Sequence, residues 1–312
     1  MKILIIDRCH KALESGLEEA GHELMDATTL SAKEIASMHA DAEGMLVRAR
    51  MAFTQEFLEA FPDLVFIARF GSGMEHIDMK WAEGRDIHCL SAAEGNRQAV
   101  GEYALGALLS LFRKIPQADQ QVRKGIWQRE ANRGEELSGK TVGIIGYGRM
   151  GSAFSQLLRG FDLRVLVYDK YKSGFGHEWI EEVPLEQVQK RSDVLSIHLP
   201  LNEETRHYID RDFIKKLEQR PYLINTSRGD QLVLEDLLWG LQAEKLRGAC
   251  LDVLEVESKD FEDLHQQKEN KSVLDALIDR RDVVLSPHIA GWTHQSKQKM
   301  ADVLLKKIAA LA

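Results

Sequence analysis

Residues 141–151 read TVGIIGYGRMG. The run from Thr141 to Ile145 is apolar and β-branched, as a buried strand requires, and it leads into Gly146-x-Gly148-x-x-Gly151. The next residues, SAFSQLLRG at 152–160, have helical spacing. Strand, glycine turn and helix in this order make a phosphate cradle. The tight turn, the approach of a pyrophosphate and the helix–strand contact each exclude a side chain. The helix start adds backbone N–H groups and the positive end of its dipole. Such spacing also arises by chance, but here the following strand, RVLVYDK at 164–170, ends in Asp169. A carboxylate there accepts hydrogen bonds from both adenosine ribose hydroxyls and repels a 2′-phosphate. The combination predicts a dinucleotide site for NAD rather than NADP, with Lys170 as the one opposing charge.

Working outward, strand-like pieces recur at Val142–Ile145, Arg164–Tyr168, Val194–His198, Tyr222–Asn225, Gly248–Asp252 and Val283–Leu285. Six strands with intervening helices predict a doubly wound α/β fold, a Rossmann-type domain over 99–292. Before it, strands at Lys2–Ile6, Gly44–Arg48, Leu64–Ala68 and Asp86–Leu90, with helices at Lys11–Ala20 and Gln55–Phe61, predict another α/β domain over 1–98. A last helix, Gln295 to Leu311, is expected to return to it, so that 293–312 complete a discontinuous domain. Between the two lies VGEYALGALLSLFRKI, residues 100–115, followed by Pro116. Its apolar surface covers more than one face, which suits a hinge, a dimer element or a core helix.

The 312 residues suit two domains, and 44% hydrophobic with 29% charged content is ordinary for a globular chain. A net charge of −8 argues against nucleic acid as a bulk partner. No apolar stretch approaches the roughly 18 residues of a membrane helix. The opening MKILIIDR reads as a strand and not as a signal peptide, so a cytoplasmic location is expected. Cys9, Cys89 and Cys250 are far apart and read as buried free thiols, with no metal site.

In open α/β sheets ligands bind beyond the carboxyl ends of the strands. After YLIN (222–225) stands Arg228, after GACLDV (248–253) stand Glu255 and Glu257, and after VVLSP (283–287) stands His288. This trio suits hydride exchange on a 2-oxo or 2-hydroxy acid. Arg228 can pair with the substrate carboxylate in bidentate fashion. His288 can give or take the hydroxyl proton, and a carboxylate on its far nitrogen would orient the ring and favour its charged form. Each has a plainer reading as surface ion pair, loop histidine or solvated acid. Their joint placement favours the chemical one.

These residues resemble the D-isomer-specific 2-hydroxyacid dehydrogenases, through GIIGYGRMG, SIHLPLNEETRHYI, INTSRGDQLVLEDLLWGL, LDVLEVES and SPHIAGWT over nearly the whole chain. The likeness is greatest to short 3-phosphoglycerate dehydrogenases lacking a regulatory domain. It implies a Rossmann-type NAD domain plus a flavodoxin-like substrate domain, with Arg228, Glu257 and His288 as the catalytic set. It places the cofactor against Gly146, Gly148, Arg149, Met150, Gly151, Asp169, His198, Leu199, Pro200, Thr205, Thr226, Ser227, Asp252, His288 and Gly291. Asp252 would meet the nicotinamide carboxamide, and Glu255 would have no role. Ser258 stands where the family has proline, and the segment from Glu257 to His288 is long. Both bear on how Glu257 is presented.

By the same likeness, Gly71, Ser72 and Gly73 form a backbone nest for the substrate carboxylate, shared with Arg228. Arg48 and Arg50, alternate residues at a strand end, would point the same way and hold a second anion. That resembles the RSR pair of some 3-phosphoglycerate dehydrogenases and makes 3-phosphoglycerate/3-phosphohydroxypyruvate the leading substrate pair. Glyoxylate or hydroxypyruvate reduction is the alternative, and an NAD(H)-sensing co-repressor-like binding protein is the reading from another class. A homodimer through the 100–115 segment is expected. No serine-binding regulatory domain is expected after His288, and Trp292 walls the pocket or packs the hinge.

Overall fold

The computed structural model describes residues 1–257 and 271–311. Ser258 and the mixed-charge stretch through 270 lie outside the described residues. The chain divides into two compact units, Met1–Arg97 with Trp292–Ala312, and Gln98–Gly291.

In the first unit, β1 (Lys2–Ile5), β2 (Glu23–Asp26), β3 (Gly44–Val47), β4 (Phe66–Arg69) and β5 (His88–Ser91) form a parallel sheet in the order β2-β1-β3-β4-β5. This is the flavodoxin-like order. β2 was not expected: ELMD is half exposed at the sheet edge and lacks the apolar run that marks the others. The C-terminal helix, His294–Ala309, packs Met300, Ala301, Leu304 and Ile308 into a core with Ile3, Leu13, Leu17, Leu46 and Phe66.

In the second unit, β6 (Thr141–Ile145), β7 (Arg164–Tyr168), β8 (Glu181–Glu182), β9 (Val194–Ile197), β10 (Tyr222–Asn225), β11 (Gly248–Leu251) and β12 (Val283–Leu285) are all parallel. Their order, β12-β11-β10-β9-β6-β7-β8, is the Rossmann order extended by one strand. The extending strand is β12; the strand missed in the sequence, β8, is two exposed glutamates, too short and polar to register there. Apolar clusters cover both faces of this sheet. Burial on two sides is why its strands read as continuous apolar runs instead of alternating ones.

The expected helix at 100–115 is displaced. It runs from Ala93 to Phe112, and Lys114 takes a left-handed conformation with φ 52°. A new helix, Ile115–Arg123, then begins with Pro116 in its first turn. Proline lacks an N–H, and the first turn needs none, so Pro116 opens a helix where it was expected to close one. The three cysteines are free, but only Cys250 is fully buried; Cys9 and Cys89 are half-buried. Among the described residues no helix is long and apolar enough to cross a membrane.

Leu304 is fully buried in the first unit's core. Leu304→Ala is expected to remove about 2–5 kcal/mol of stability, seen as a lower urea midpoint for that unit. An unchanged midpoint would show that the C-terminal helix contributes little to it.

Candidate active site

Parallel pairing in register lines up one residue from each strand end in the second unit. Tyr168, Ile145, Ile197, Asn225, Leu251 and Leu285 are successive partners across the sheet. The residues that follow them are Asp169, Gly146, His198, Thr226, Asp252 and Ser286. The carboxyl edge of this sheet is therefore a row of the residues that the sequence singled out, plus one that it did not, Ser286.

The glycine turn has the steric signature of a phosphate cradle. Gly146 has φ +94°, and a Cβ there would lie 2.5 Å from the His198 carbonyl oxygen; one at Gly151 would lie 2.1 Å from the Gly146 oxygen. Gly148, the N-cap of the helix Arg149–Leu157, faces open space. Arg149 is exposed and Met150 half-buried at that helix start. Asp169 accepts from the Tyr147 amide inside the turn at 2.7 Å and from the amides of Tyr171 and Lys172 at 3.0 Å each. Its carboxylate thus holds the turn as well as ending β7. Lys170 is drawn to Glu204 at 2.8 Å, and Tyr171 bonds to the same carboxylate.

Beyond β9, His198 is 7% exposed and sits 2.9 Å from the Ser196 hydroxyl; burial drives its pKa down to about 4, so the ring is neutral near pH 7. Gln231 donates to the carbonyls of Leu199 and Pro200 at 3.0 and 2.9 Å, and the Thr205 hydroxyl donates to Pro200 at 2.6 Å, which makes this segment a fixed wall. Ser227 donates its hydroxyl to the Ile197 carbonyl at 2.8 Å. The buried Thr226 Oγ1 and His198 Nδ1 meet no partner among the described residues. The open space at Gly148, at the start of the helix Arg149–Leu157, fits the pyrophosphate of a dinucleotide.

The structure brings Glu257 and His288 together, with Oε2 2.9 Å from Nδ1. Glu257 Oε1 accepts from the Leu254 amide at 2.6 Å, so the carboxylate is held by its own turn. Arg228 follows β10 in extended backbone, its carbonyl bound by Asn225 Nδ2 at 3.0 Å and its Nη1 donating to the Ser227 carbonyl at 2.6 Å. The next residue, Gly229, packs so closely that a Cβ would lie 2.0 Å from the Leu254 oxygen. The Arg228 turn and the Glu257 turn therefore touch.

The three acids of GACLDVLEVESKD separate by environment. Asp252 is 1% exposed and accepts from the amides of Ile289 and Ala290 at 2.9 and 2.7 Å and from the Ser286 hydroxyl. Burial raises its pKa, opposed by those three donors. The protein contacts of Asp252 are thus to the turn that carries His288. Glu255, expected to have no role, accepts from the Leu234 amide at 3.2 Å at the start of the helix Leu234–Gln242 and lies 3.1 Å from His207 Nε2. Gly291 lies just past Ala290, at the end of this unit.

In the first unit, Arg48 and Arg50 do not pair as expected. β3 ends at Val47, and the chain bends at 49–50, so the alternation that would aim both side chains alike is lost. Arg48 lies over the Trp292 ring, 4.9 Å from its centroid, and Lys297 lies 4.0 Å from the same centroid. Arg50 donates to the carbonyls of Leu30 at 2.8 Å and Ala27 at 3.3 Å and pairs with Asp7 at 3.6 Å. A third arginine, missed in sequence, stands at the end of β4: Arg69, opposite Val47 in the sheet. A Cβ at Gly71 would lie 1.3 Å from Arg69 Nη1, so only glycine admits the guanidinium there. Ser72 donates to Asn96 Oδ1 at 2.8 Å.

Residues 105–290 match the family model described as D-isomer specific 2-hydroxyacid dehydrogenase, NAD binding domain. The chain is 30% identical over 313 residues to D-3-phosphoglycerate dehydrogenase of Methanocaldococcus jannaschii, a match covering 99% of this chain and 57% of that protein. It therefore spans little more than half of that relative's length. It is 31% identical to hydroxypyruvate reductase of Thermotoga maritima, over 89% of this chain and 88% of the other. A solved structure of D-lactate dehydrogenase from Aquifex aeolicus, complexed with NAD and lactic acid, superposes with a TM-score of 0.84 at 25% identity, over 99% of this chain and 95% of that one. With the glycine cradle, the strand-end row and the Glu257–His288 pair in one unit, these matches show that the chain belongs to the D-isomer specific 2-hydroxyacid dehydrogenase family.

Proposed function

We propose that the protein is an NAD-dependent oxidoreductase exchanging hydride between nicotinamide and a small D-2-hydroxy acid or its 2-oxo acid. The observation that carries this reading is the 2.9 Å contact between His288 Nδ1 and Glu257, in the unit that holds the glycine cradle. Bound nicotinamide supplies or takes the hydride. Arg228 pairs with the substrate carboxylate and fixes its orientation. With Nδ1 turned to Glu257, the ring hands its proton to the carbonyl oxygen through Nε2, and takes it back in the reverse direction. His198, neutral and buried, is no rival as the acid. Asp169 favours NAD, and the pairing of Lys170 with Glu204 draws away the one nearby cation that would favour a 2′-phosphate.

Substrate recognition is assigned to the first unit. Arg48 and Arg69 stand at adjacent strand ends, and both cations act on Cys9. Beside them the amides of Ser72 and Gly73 meet no acceptor among the described residues. Such an edge suits an anion and supports 3-phosphoglycerate/3-phosphohydroxypyruvate as the substrate pair. One observation favours a smaller acid, glyoxylate or hydroxypyruvate: Arg50 is already engaged with two carbonyls and Asp7. A homodimer is also proposed. The expected contact through the 100–115 segment is here moved to the helix Ile115–Arg123 and the residues after it, a reading supported by the exposure of Ile115, Val122, Ile126 and Trp127 at 54, 52, 40 and 79%.

His288→Ala is expected to lower kcat about 10²-fold or more, measured on a panel of 2-oxo acids at saturating NADH with NADPH as control. Full activity in that variant would sink the mechanism. Arg48→Ala and Arg69→Ala should each cut kcat/KM for 3-phosphohydroxypyruvate about tenfold, the scale of one charge-assisted contact, and affect glyoxylate less. Equal losses on both acids, or a wild type that prefers glyoxylate, would favour the smaller substrate. Light scattering after size exclusion should give twice the chain mass, and a monomer would overturn the dimer.

A further inference from the structure

His288 occupies the left-handed backbone region, uncommon for a residue with a side chain, with φ 55°. A non-glycine residue in the left-handed region stores backbone strain and persists where the surroundings over-determine it. Here they do so mainly through one residue, Asp252, by its backbone carbonyl and its carboxylate. The His288 amide donates to the Asp252 carbonyl at 2.8 Å and to the Ser286 carbonyl at 3.1 Å. The two amides after it, Ile289 and Ala290, donate to the Asp252 side chain, as does the Ser286 hydroxyl before it. Asp252 thus gathers donors from both sides of the left-handed residue.

The chain of bonds extends further. The Ser286 hydroxyl also bonds to the Tyr103 hydroxyl, on the helix Ala93–Phe112. Its direction follows from donor counting. A hydroxyl has one proton, and an ionised carboxylate only accepts, so Ser286 gives its proton to Asp252 and Tyr103 donates to Ser286. Tyr103 stays protonated, since burial pushes its pKa up to about 12. Tyr103, Ser286 and Asp252 therefore form a one-way relay into the turn of His288.

We propose that Tyr103 and Ser286 are positioning residues of the active site, acting through Asp252 to lock the left-handed turn that aims His288. This rests on the reading of His288 as the proton donor. The lock requires Asp252 ionised, because a protonated carboxyl accepts poorly from the Ile289 and Ala290 amides. Burial raises the Asp252 pKa, while Ser286, the two amides and the nearby His288 hold it down; Tyr103 and Cys250 are the other titratable groups at the relay. Removing the Ser286 donor raises it further. Activity lost as Asp252 takes up a proton is then lost at a higher pH.

The test compares Tyr103→Phe, Ser286→Ala and the conservative Ser286→Thr with wild type in the full chain with NADH. Ser286→Ala should lower kcat about tenfold with the KM for the 2-oxo acid and NADH affinity nearly unchanged, the effect of a misaimed general acid. It should move the acid limb of the kcat profile upward by about one pH unit. Amide exchange at Ile289 and Ala290 should speed up about tenfold, as for a locally opened turn. Tyr103→Phe should act in the same directions more weakly, and Ser286→Thr should restore wild-type values. An unmoved acid limb, unchanged exchange at the turn, or equal losses of kcat and NADH affinity would overturn the proposal. The exchange readout keeps it separate from the mechanism: if His288→Ala retains activity while Ser286→Ala still loosens the turn, the reading of His288 fails and the lock stands.

Discussion

Parallel pairing in register is the constraint on which the site depends. Because β6, β7, β9, β10, β11 and β12 run the same way and align residue for residue, their last residues end at one edge. Asp169, Gly146, His198, Thr226, Asp252 and Ser286 follow in a row. A one-residue slip in any pairing would turn that strand's side chains to the opposite face. The apolar clusters on both faces of the sheet oppose such a slip. Register, a packing property, is therefore what assembles a chemical site from residues up to 140 positions apart.

At that edge, burial and hydrogen bonding assign different work to similar acids. Asp252, nearly inaccessible, is held against its desolvation by donors from the turn of His288. Glu257, more open, uses one oxygen on the Leu254 amide and the other on His288. Glu255 faces the start of a helix, where a negative charge is favourable. Chemically these are near-equivalent residues within one short stretch. Their neighbours, drawn from the residues after β12, from the Leu234 helix and from the turn itself, make them different.

The legible parts of the fold were those with a local physical cause. The glycine spacing of 146–151 is dictated by close backbone approach, and the apolar strands by burial on both faces. What was not legible lacked a local cause or obeyed another one. β8 is two glutamates placed by strand pairing and by side-chain bonds to Arg191 and to the amides of Phe175 and Gly176. Pro116, an apparent terminator, opens the next helix because the first turn needs no N–H. Arg48 and Arg50 alternate in sequence, but the strand stops before them, and alternation has meaning only in extended chain. Arg69, Tyr103 and Ser286 sit in or beside the stretches singled out, but no spacing gave any of them a role.

By itself the sequence determined the two α/β sheets, the dinucleotide turn and the strand-end residues Arg228 and His288 with the acids Glu255 and Glu257, because periodicity, glycine sterics and position after a strand are local properties. The tertiary structure alone decided which acid meets His288, that Arg50 is tied to Ala27 and Leu30 while Arg48 stacks on Trp292, and that Asp252 with Ser286 and Tyr103 holds the His288 turn. Those outcomes depend on distances between residues far apart in the chain. Such distances exist only once the sheets have closed and each polar group has found its partner.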